Sequence, residues 1–204
     1  MRERILQSAQ ELFFKYGIKI VTMDEIAQQL GISKKTIYQF FETKDEIILE
    51  IAQQQCLTFR AEFDRIGVEV NNPIEEIWRI MLVVNQFLSS VHPTLIIELK
   101  KFYPQSWTII EELRTSFLQN LTLRNLEKGI QQGVYREDLQ PEIICRLHLS
   151  CTNLLFDETV FPPQRFSLNA VHRAYVEYFL HGICSEKGFQ LLEKFKKTLH
   201  AHEL

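Results

Sequence analysis

TMDEIAQQLGISKKTIYQFFETKDE, residues 22–46, is the stretch that decides the fold. Thr22 opens a T-M-D-E capping box, in which the threonine hydroxyl caps the amide of Glu25 and the Glu25 carboxylate reaches back. T-K-D-E at 43–46 is expected to form a second box, and Ser33 caps a helix between the two. Helices this short are unstable alone in water, so mutual packing must hold them. Ile26, Ala27 and Leu30 share one face of the first, and Ala27 is small where two helices would cross. Gly31 falls at the turn, where a left-handed backbone costs glycine least. Ile32, Ile37 and Phe40 are expected to complete a miniature core. Gly31, Ile37 and Phe40 follow Ala27 by four, ten and thirteen residues, which is the spacing of a helix-turn-helix.

Charge placement points to what those helices meet. Lys34 and Lys35 occupy the first positions of the middle helix, and Lys44 the first position of the next. A cation at a helix N-terminus opposes the backbone dipole by about 0.3–1 kcal/mol. Asp24, Glu25, Asp45 and Glu46 have the favoured sign, so the lysines call for an anionic partner, and DNA phosphate fits. Thr36 and Tyr38 add donors on the exposed face, and Gln39 is suited to reading a base edge. Tyr38 has a second reading as a packing residue. Residues 1–50 carry seven Lys/Arg against eight Asp/Glu, and the whole chain is −3. Binding must therefore rest on local placement, and a purely electrostatic binder is disfavoured.

The I-A-x-x-L-G-I-S-K-x-T-I-Y-x-F-F-x-x-K core of this stretch closely resembles the DNA-binding domain of the tetracycline-repressor (TetR) family. The likeness covers roughly residues 1–50 at motif level, with the helical layout and total length in keeping beyond it. The resemblance implies that Thr22, Ser33, Lys34, Lys35, Thr36, Tyr38, Gln39 and Lys44 lie at the DNA interface. It also implies a homodimer, most often a repressor released by a ligand. Lys35 departs from the family pattern, where a small residue is common, and adds charge to the groove face.

Helical periodicity continues through the remainder. The helix opening near Asp45 is expected to run to about Arg65 and break at Gly67 and the N-N-P of 71–73. Further helices are predicted over Ile74–Val91, Leu95–Tyr103, Gln105–Gln132, Pro141–Phe156 and Leu168–Cys184, with a short amphipathic tail after Gly188. No strand is expected. The fold class is all-α, with a helix-turn-helix domain over residues 1–47 and a ligand-binding and dimerisation bundle over 48–204.

Two helices of the bundle are apolar on more than one side. Ile143, Leu147 and Leu154 line one side of the first, with Cys151 nearer another. In the second, Val171, Tyr175 and Tyr178 form one stripe, and Val176, Leu180 and Ile183 form another well around the cylinder. A second apolar face needs a second covering surface, which a two-fold four-helix bundle supplies. Leu147, Cys151, Leu154, Val176, Leu180 and Ile183 are the expected dimer contacts. A dimer of this kind reads a palindromic operator. Burial of both stripes within one chain is the alternative.

The middle helices hold Phe59, Phe63, Trp78 and Asn85, then Phe102, Tyr103, Trp107 and Phe117. These are candidates to line a pocket for a small, largely apolar effector, although for any single aromatic core packing is the favoured reading.

No nucleophile elbow, phosphate loop or zinc-protease motif occurs, so no enzyme and no cofactor are expected. His148, His172 and His181 are spread over two helices, with His202 in the tail, and read as satisfied or exposed imidazoles, with no metal assigned. Cys56, Cys145, Cys151 and Cys184 form no framework and read as reduced thiols of a cytoplasmic protein. No secretion signal or membrane span is expected. Two readings compete: a ligand-gated DNA-binding repressor, and a binding module that keeps the helix-turn-helix only as scaffold.

Overall fold

The computed structural model describes residues 1–200; residues 201–204, with His202, lie outside the described residues. Eleven α-helices follow one another among the described residues, with no strand beyond one isolated bridge between Tyr135 and Cys184. Helix α1 (Arg2–Tyr16) ends at Gly17, whose φ of 87° suits glycine and whose N–H donates to the Phe13 carbonyl. Next come α2 (Met23–Leu30), α3 (Lys34–Tyr38) and α4 (Lys44–Glu69). The larger part comprises α5 (Pro73–Ser90), α6 (Leu95–Phe102), α7 (Pro104–Glu112), α8 (Gln119–Gln131), α9 (Pro141–Leu154), α10 (Leu168–Ile183) and α11 (Glu186–His200). Helices α5 and α6 meet at 87°. No single helix among the described residues is long and apolar enough to cross a membrane.

The N-terminal helices share their core with the bundle. Ile5, Ala9, Phe13, Ile26, Ile37 and Ile47 are buried in one cluster with Leu88, Val91, Leu95 and Leu99. The chain leaving α1 is also clamped to α6. Glu98 Oε2 accepts from the amides of Ile18 at 2.7 Å and Lys19 at 2.9 Å, and its Oε1 accepts from the Thr94 hydroxyl at 2.7 Å. The His92 amide donates to the Phe14 carbonyl at 2.6 Å. The boundary at 47/48 thus falls inside α4, a helix that serves both parts.

Several local expectations need correction. Helix α4 does not break at Gly67 but runs to Glu69, because Phe63 and Ile66 bury their side chains and outweigh the roughly 1 kcal/mol helix cost of glycine. A Cβ at Gly67 would stand 3.0 Å from Arg124 Nη2 and 3.2 Å from Glu76 Oε1, so the position leaves room for that ion pair. Phe40 is 39% exposed, and Phe41, at 1%, fills the core. Helix α3 ends at Tyr38, so helical spacing cannot be extrapolated from Ala27 as far as residue 40. Gly188 does not precede the tail helix but lies within it. Its amide donates to Ser185 Oγ at 3.1 Å, and an added Cβ would meet the Val134 carbonyl oxygen at 1.9 Å.

The helix expected over 105–132 changes its winding midway. Leu113–Leu118 forms a π-turn between α7 and α8. Thr115 and Ser116 donate their hydroxyls to the carbonyls of Glu111 and Glu112, at 2.8 and 2.7 Å, competing with the backbone ladder where it widens.

Candidate DNA-binding face and effector cavity

Caps fix the helix-turn-helix. Thr22 Oγ1 accepts from the Glu25 amide at 3.2 Å, while Glu25 Oε2 accepts from the Thr22 amide at 2.7 Å. Ser33 Oγ accepts from the Thr36 amide at 3.1 Å, and Thr43 Oγ1 from the Glu46 amide at 3.2 Å. The second box is shifted by one residue: Glu46 accepts from the amide of Glu42, not of Thr43. Gly31 turns the chain at φ 66°, ψ 32°. Ile37 points inward and is fully buried, which leaves Lys34, Lys35, Tyr38 and Gln39 exposed on the outside of α3.

The three lysines differ. Lys35 carries no ion pair among the described residues. Lys34 Nζ lies 2.7 Å from Asp24 Oδ2, a hydrogen bond that raises its pKa. Lys44 is turned inward: its Nζ donates to the Ile18 carbonyl at 2.5 Å and sits over the Phe13 ring at 5.7 Å. Burial lowers its pKa, against the pull of Glu98, Asp45 and Glu25. The expectation that this ammonium faces DNA is therefore corrected, because its flexible stem reaches a free carbonyl of the α1–α2 connection instead. Only the N-terminal amides of α4 remain for an anion there.

A cavity of about 270 Å³ lies in the bundle, its wall drawn from α1, α4–α10 and the π-turn. Of the expected lining residues, Phe59, Phe63 and Trp107 are on the wall. Phe59 stacks on Phe63 at 5.6 Å and meets Phe87 edge-on at 5.1 Å, and Phe87 in turn meets Phe14 of α1 at 5.6 Å. The other five expectations are corrected. Trp78 is buried in a core with Ile74, Leu126 and Leu180. Asn85 lies behind the wall, with Oδ1 3.0 Å from His172 Nδ1. Phe102 is exposed, with Lys19 and Lys101 over its ring. Tyr103 packs on the N-terminal core, and Phe117 lies beside Phe63 under the Arg60 guanidinium.

Sequence reading missed the polar members of this wall, among them Arg114, His148, His172 and Tyr175. Arg114 donates to the Leu149 carbonyl and, at 3.0 Å, to Glu111. Burial pulls the pKa of His148 down to about 4, with the neighbouring His172 adding to it, and burial alone takes His172 to about 4. The two imidazoles, on different helices in the sequence, both line this cavity. The available signal was a histidine amid apolar residues on each of two facing helices.

The outer face of the bundle is partly bare. Leu147 is 56% exposed, Leu154 48% and Tyr178 77%, with Ile143 exposed on the same side and Cys151 half-buried. Val176, Leu180 and Ile183 cannot join that face, being 5%, 0% and 3% exposed within the single chain. Their stripe is covered by Ile74 of α5, Leu126 of α8 and Leu192 of α11, so the expectation that they contact a second subunit is corrected.

A capped helix-turn-helix set on a helical bundle with a largely apolar cavity defines the class: one-chain helix-turn-helix regulators. Residues 5–51 match the family model described as bacterial regulatory proteins, tetR family. The HTH-type transcriptional regulator YdeS of Bacillus subtilis is 32% identical over 143 residues, covering 68% of this chain and 69% of its own. Among solved structures, a Saccharomonospora viridis protein crystallised with choline superposes with a TM-score of 0.70 at 21% identity, covering 91% of this chain and 98% of its own. Thermus thermophilus FadR, a TetR-family repressor in complex with lauroyl-CoA, superposes with a TM-score of 0.57 at 24% identity, covering 91% and 96%. The chain belongs to the tetR family of bacterial transcriptional regulators.

Proposed function

We propose that this protein is a cytoplasmic repressor that binds a palindromic operator as a homodimer and is released by a small, largely apolar effector. It is a binding protein rather than an enzyme, with residues 1–47 reading DNA and 48–204 binding effector and partner subunit. The observation that carries the DNA reading is the inward anchoring of Ile37, which turns the outer side of α3 toward solvent as one row. Thr22, Ser33 and Thr36 mark the phosphate-facing ends of the helices, Lys34, Lys35 and Tyr38 supply donors, and Gln39 inspects a base edge. Tyr38, being exposed, is available for this role. FadR's complex with lauroyl-CoA supports the apolar effector, since a related fold holds a long acyl chain.

A gel shift on DNA from the gene's own upstream region tests the reading. The triple variant Lys35→Ala, Tyr38→Ala, Gln39→Ala is expected to bind at least about 100-fold more weakly, at roughly 1–3 kcal/mol per good contact. Its melting temperature should not change, because all three side chains are exposed. Wild-type affinity must also fall as salt rises. Undiminished binding by the triple variant would remove α3 as the reading helix.

The dimer is assigned to the bare side of α9 and α10. Ile143, Leu147 and Leu154, at helical intervals on α9, and Tyr178 on α10 form a patch that a second copy covers by two-fold symmetry, with Cys151 at its edge. Leu147→Glu is expected to shift the protein from dimer to monomer in light scattering and to weaken operator binding with it. A variant that stays dimeric would move the interface elsewhere.

A further inference from the structure

Phe102, outside the cavity, gathers cations at the C-terminal end of α6. Its ring is 47% exposed, and the ammoniums of Lys19 and Lys101 each stand 5.5 Å from its centre. Two like charges on one exposed ring repel each other, and neither lysine has an ion pair among the described residues. The sequence on either side of them supplies no counter-charge. Residues 12–23 and 99–110 hold four lysines and no Asp or Glu, in a chain whose net charge is −3. Glu98, which joins the two segments, is taken up by the amides of Ile18 and Lys19 and by the Thr94 hydroxyl. Glu25 and Asp45, acids of the adjoining helix ends, are offset by the inward Lys44. Lys100 sits instead over the Trp107 ring at 5.8 Å and acts on Asp157. Lys19 and Lys101 are thus an exposed pair of cations that the fold leaves unanswered.

We propose that Lys19 and Lys101 form a second phosphate-binding site, which grips the backbone of the same duplex beside the stretch read by α3. Continuity with the reading face carries the assignment. Lys19 stands three residues before Thr22, the N-cap of α2. Lys44, in the first turn of α4, donates to the carbonyl of Ile18, the residue before Lys19. Two helix N-termini therefore flank Lys19, and their amides already carry partial positive charge. The two ammoniums extend that field from the helix-turn-helix onto α6. A DNA strand carries a negative charge about every 3.4 Å along its axis, and so supplies the anions that the protein lacks here. Lysine is a compact charge on a flexible stem, suited to a phosphate held as a point charge. Such contacts add affinity and register but no choice of base. An anionic lipid surface offers the same charge, but only a duplex would meet these lysines and α3 together. The site rests on the DNA-binding reading above and adds part of the bundle to its footprint.

Salt dependence of binding tests it. The full-length protein is titrated by fluorescence anisotropy against a labelled duplex from the gene's upstream region and a scrambled duplex of equal length, over a series of salt concentrations. The double variant Lys19→Ala, Lys101→Ala removes two cations from each subunit. For a dimer, the slope of log affinity against log salt should shrink by about 3 to 4. Affinity at low salt should fall about ten-fold or more on both duplexes, leaving their ratio unchanged, because phosphate contacts are blind to sequence. Lys19→Arg with Lys101→Arg should keep the parent's slope. Both lysines are exposed, so the melting temperature should be that of the parent. An unchanged slope, or a loss confined to the upstream duplex, would overturn the site and leave α3 as the reading helix. Vesicles of phosphatidylglycerol that bind the parent but not the alanine variant, with the duplex slope unmoved, would give the patch to a lipid surface instead. A parent protein that ignores both duplexes at low salt would overturn the DNA reading itself, and this site with it.

Discussion

Alanine at Gly129 is expected to destabilise the protein by about 3 kcal/mol or more, the upper end of overpacking penalties. A Cβ there would stand 2.0 and 2.2 Å from two atoms of the Tyr135 ring. The ring is 1% exposed and tethered: its hydroxyl donates to Asn125 Oδ1 at 2.9 Å. The Asn125 amide donates in turn to the Pro73 carbonyl and to Glu76 Oε2, each at 2.9 Å. Moving the ring would orphan buried polar groups, each costing about 1–3 kcal/mol, so the clash cannot be relieved cheaply. Denaturant unfolding should show a lower midpoint with an unchanged slope. A midpoint within about 0.5 kcal/mol of the parent would mean that the tyrosine swings clear, because surface-like tolerance is the mark of an unconstrained site.

Acid should destabilise the protein in a window set by its buried histidines. His148 and His172 fall from 6.5 to about 4 on folding, chiefly through burial. Between those values the unfolded chain holds more protons than the native one, so stability rises with pH and is lost as pH falls from 6.5 toward 4. Taken alone, each ring is worth about 3 kcal/mol across the full window. Melting temperature should be flat above neutrality and drop through that interval. His148→Leu and His172→Leu should each flatten the drop. Asp157 and Glu177, whose pKa values are lowered by hydrogen bonds from Thr159 and Lys196, add losses only at the acid end of the profile, as pH falls past their ordinary values of 3.8 and 4.5. A stability profile level down to pH 4.5, the ordinary glutamate value, would show that the rings charge freely in the native state.

What the sequence disclosed followed the range of the interactions concerned. Thr22, Ser33 and Thr43 cap helices through hydrogen bonds to amides three residues away, so local pattern was enough to place α2, α3 and α4. Gly188 reads as preceding the tail helix and Gly129 draws no notice, whereas each admits another segment from the Val134–Tyr135 region, a tertiary fact that no window of sequence contains. Lys44 sat at the expected backbone position, but a four-carbon stem can swing its charge inward to Ile18, and dipole arguments concern the backbone end alone. The two stripes on α10 were both legible as apolar. Which one a second subunit covers was hidden because α11, read as a mere tail, buries Leu192 against the stripe of Val176 and Leu180. Among candidate cavity residues, aromatic bulk identified Phe59, Phe63 and Trp107. It misplaced Trp78 and Phe102 because bulk says nothing about which face of a helix looks into a void.

Helix α6 is the smallest part with two masters. Leu95, Ile96 and Leu99 look into the cavity, while Glu98 grips the amides of Ile18 and Lys19 just ahead of the reading helices. At eight residues it is about 12 Å long and works as a stiff rocker arm. Under the effector role proposed for the cavity, a molecule that wedged the three apolar residues aside would tilt the arm, and the grip at its far side would drag the chain that feeds α2. Cutting the grip with Glu98→Ala would leave an arm that still feels its cargo and moves nothing.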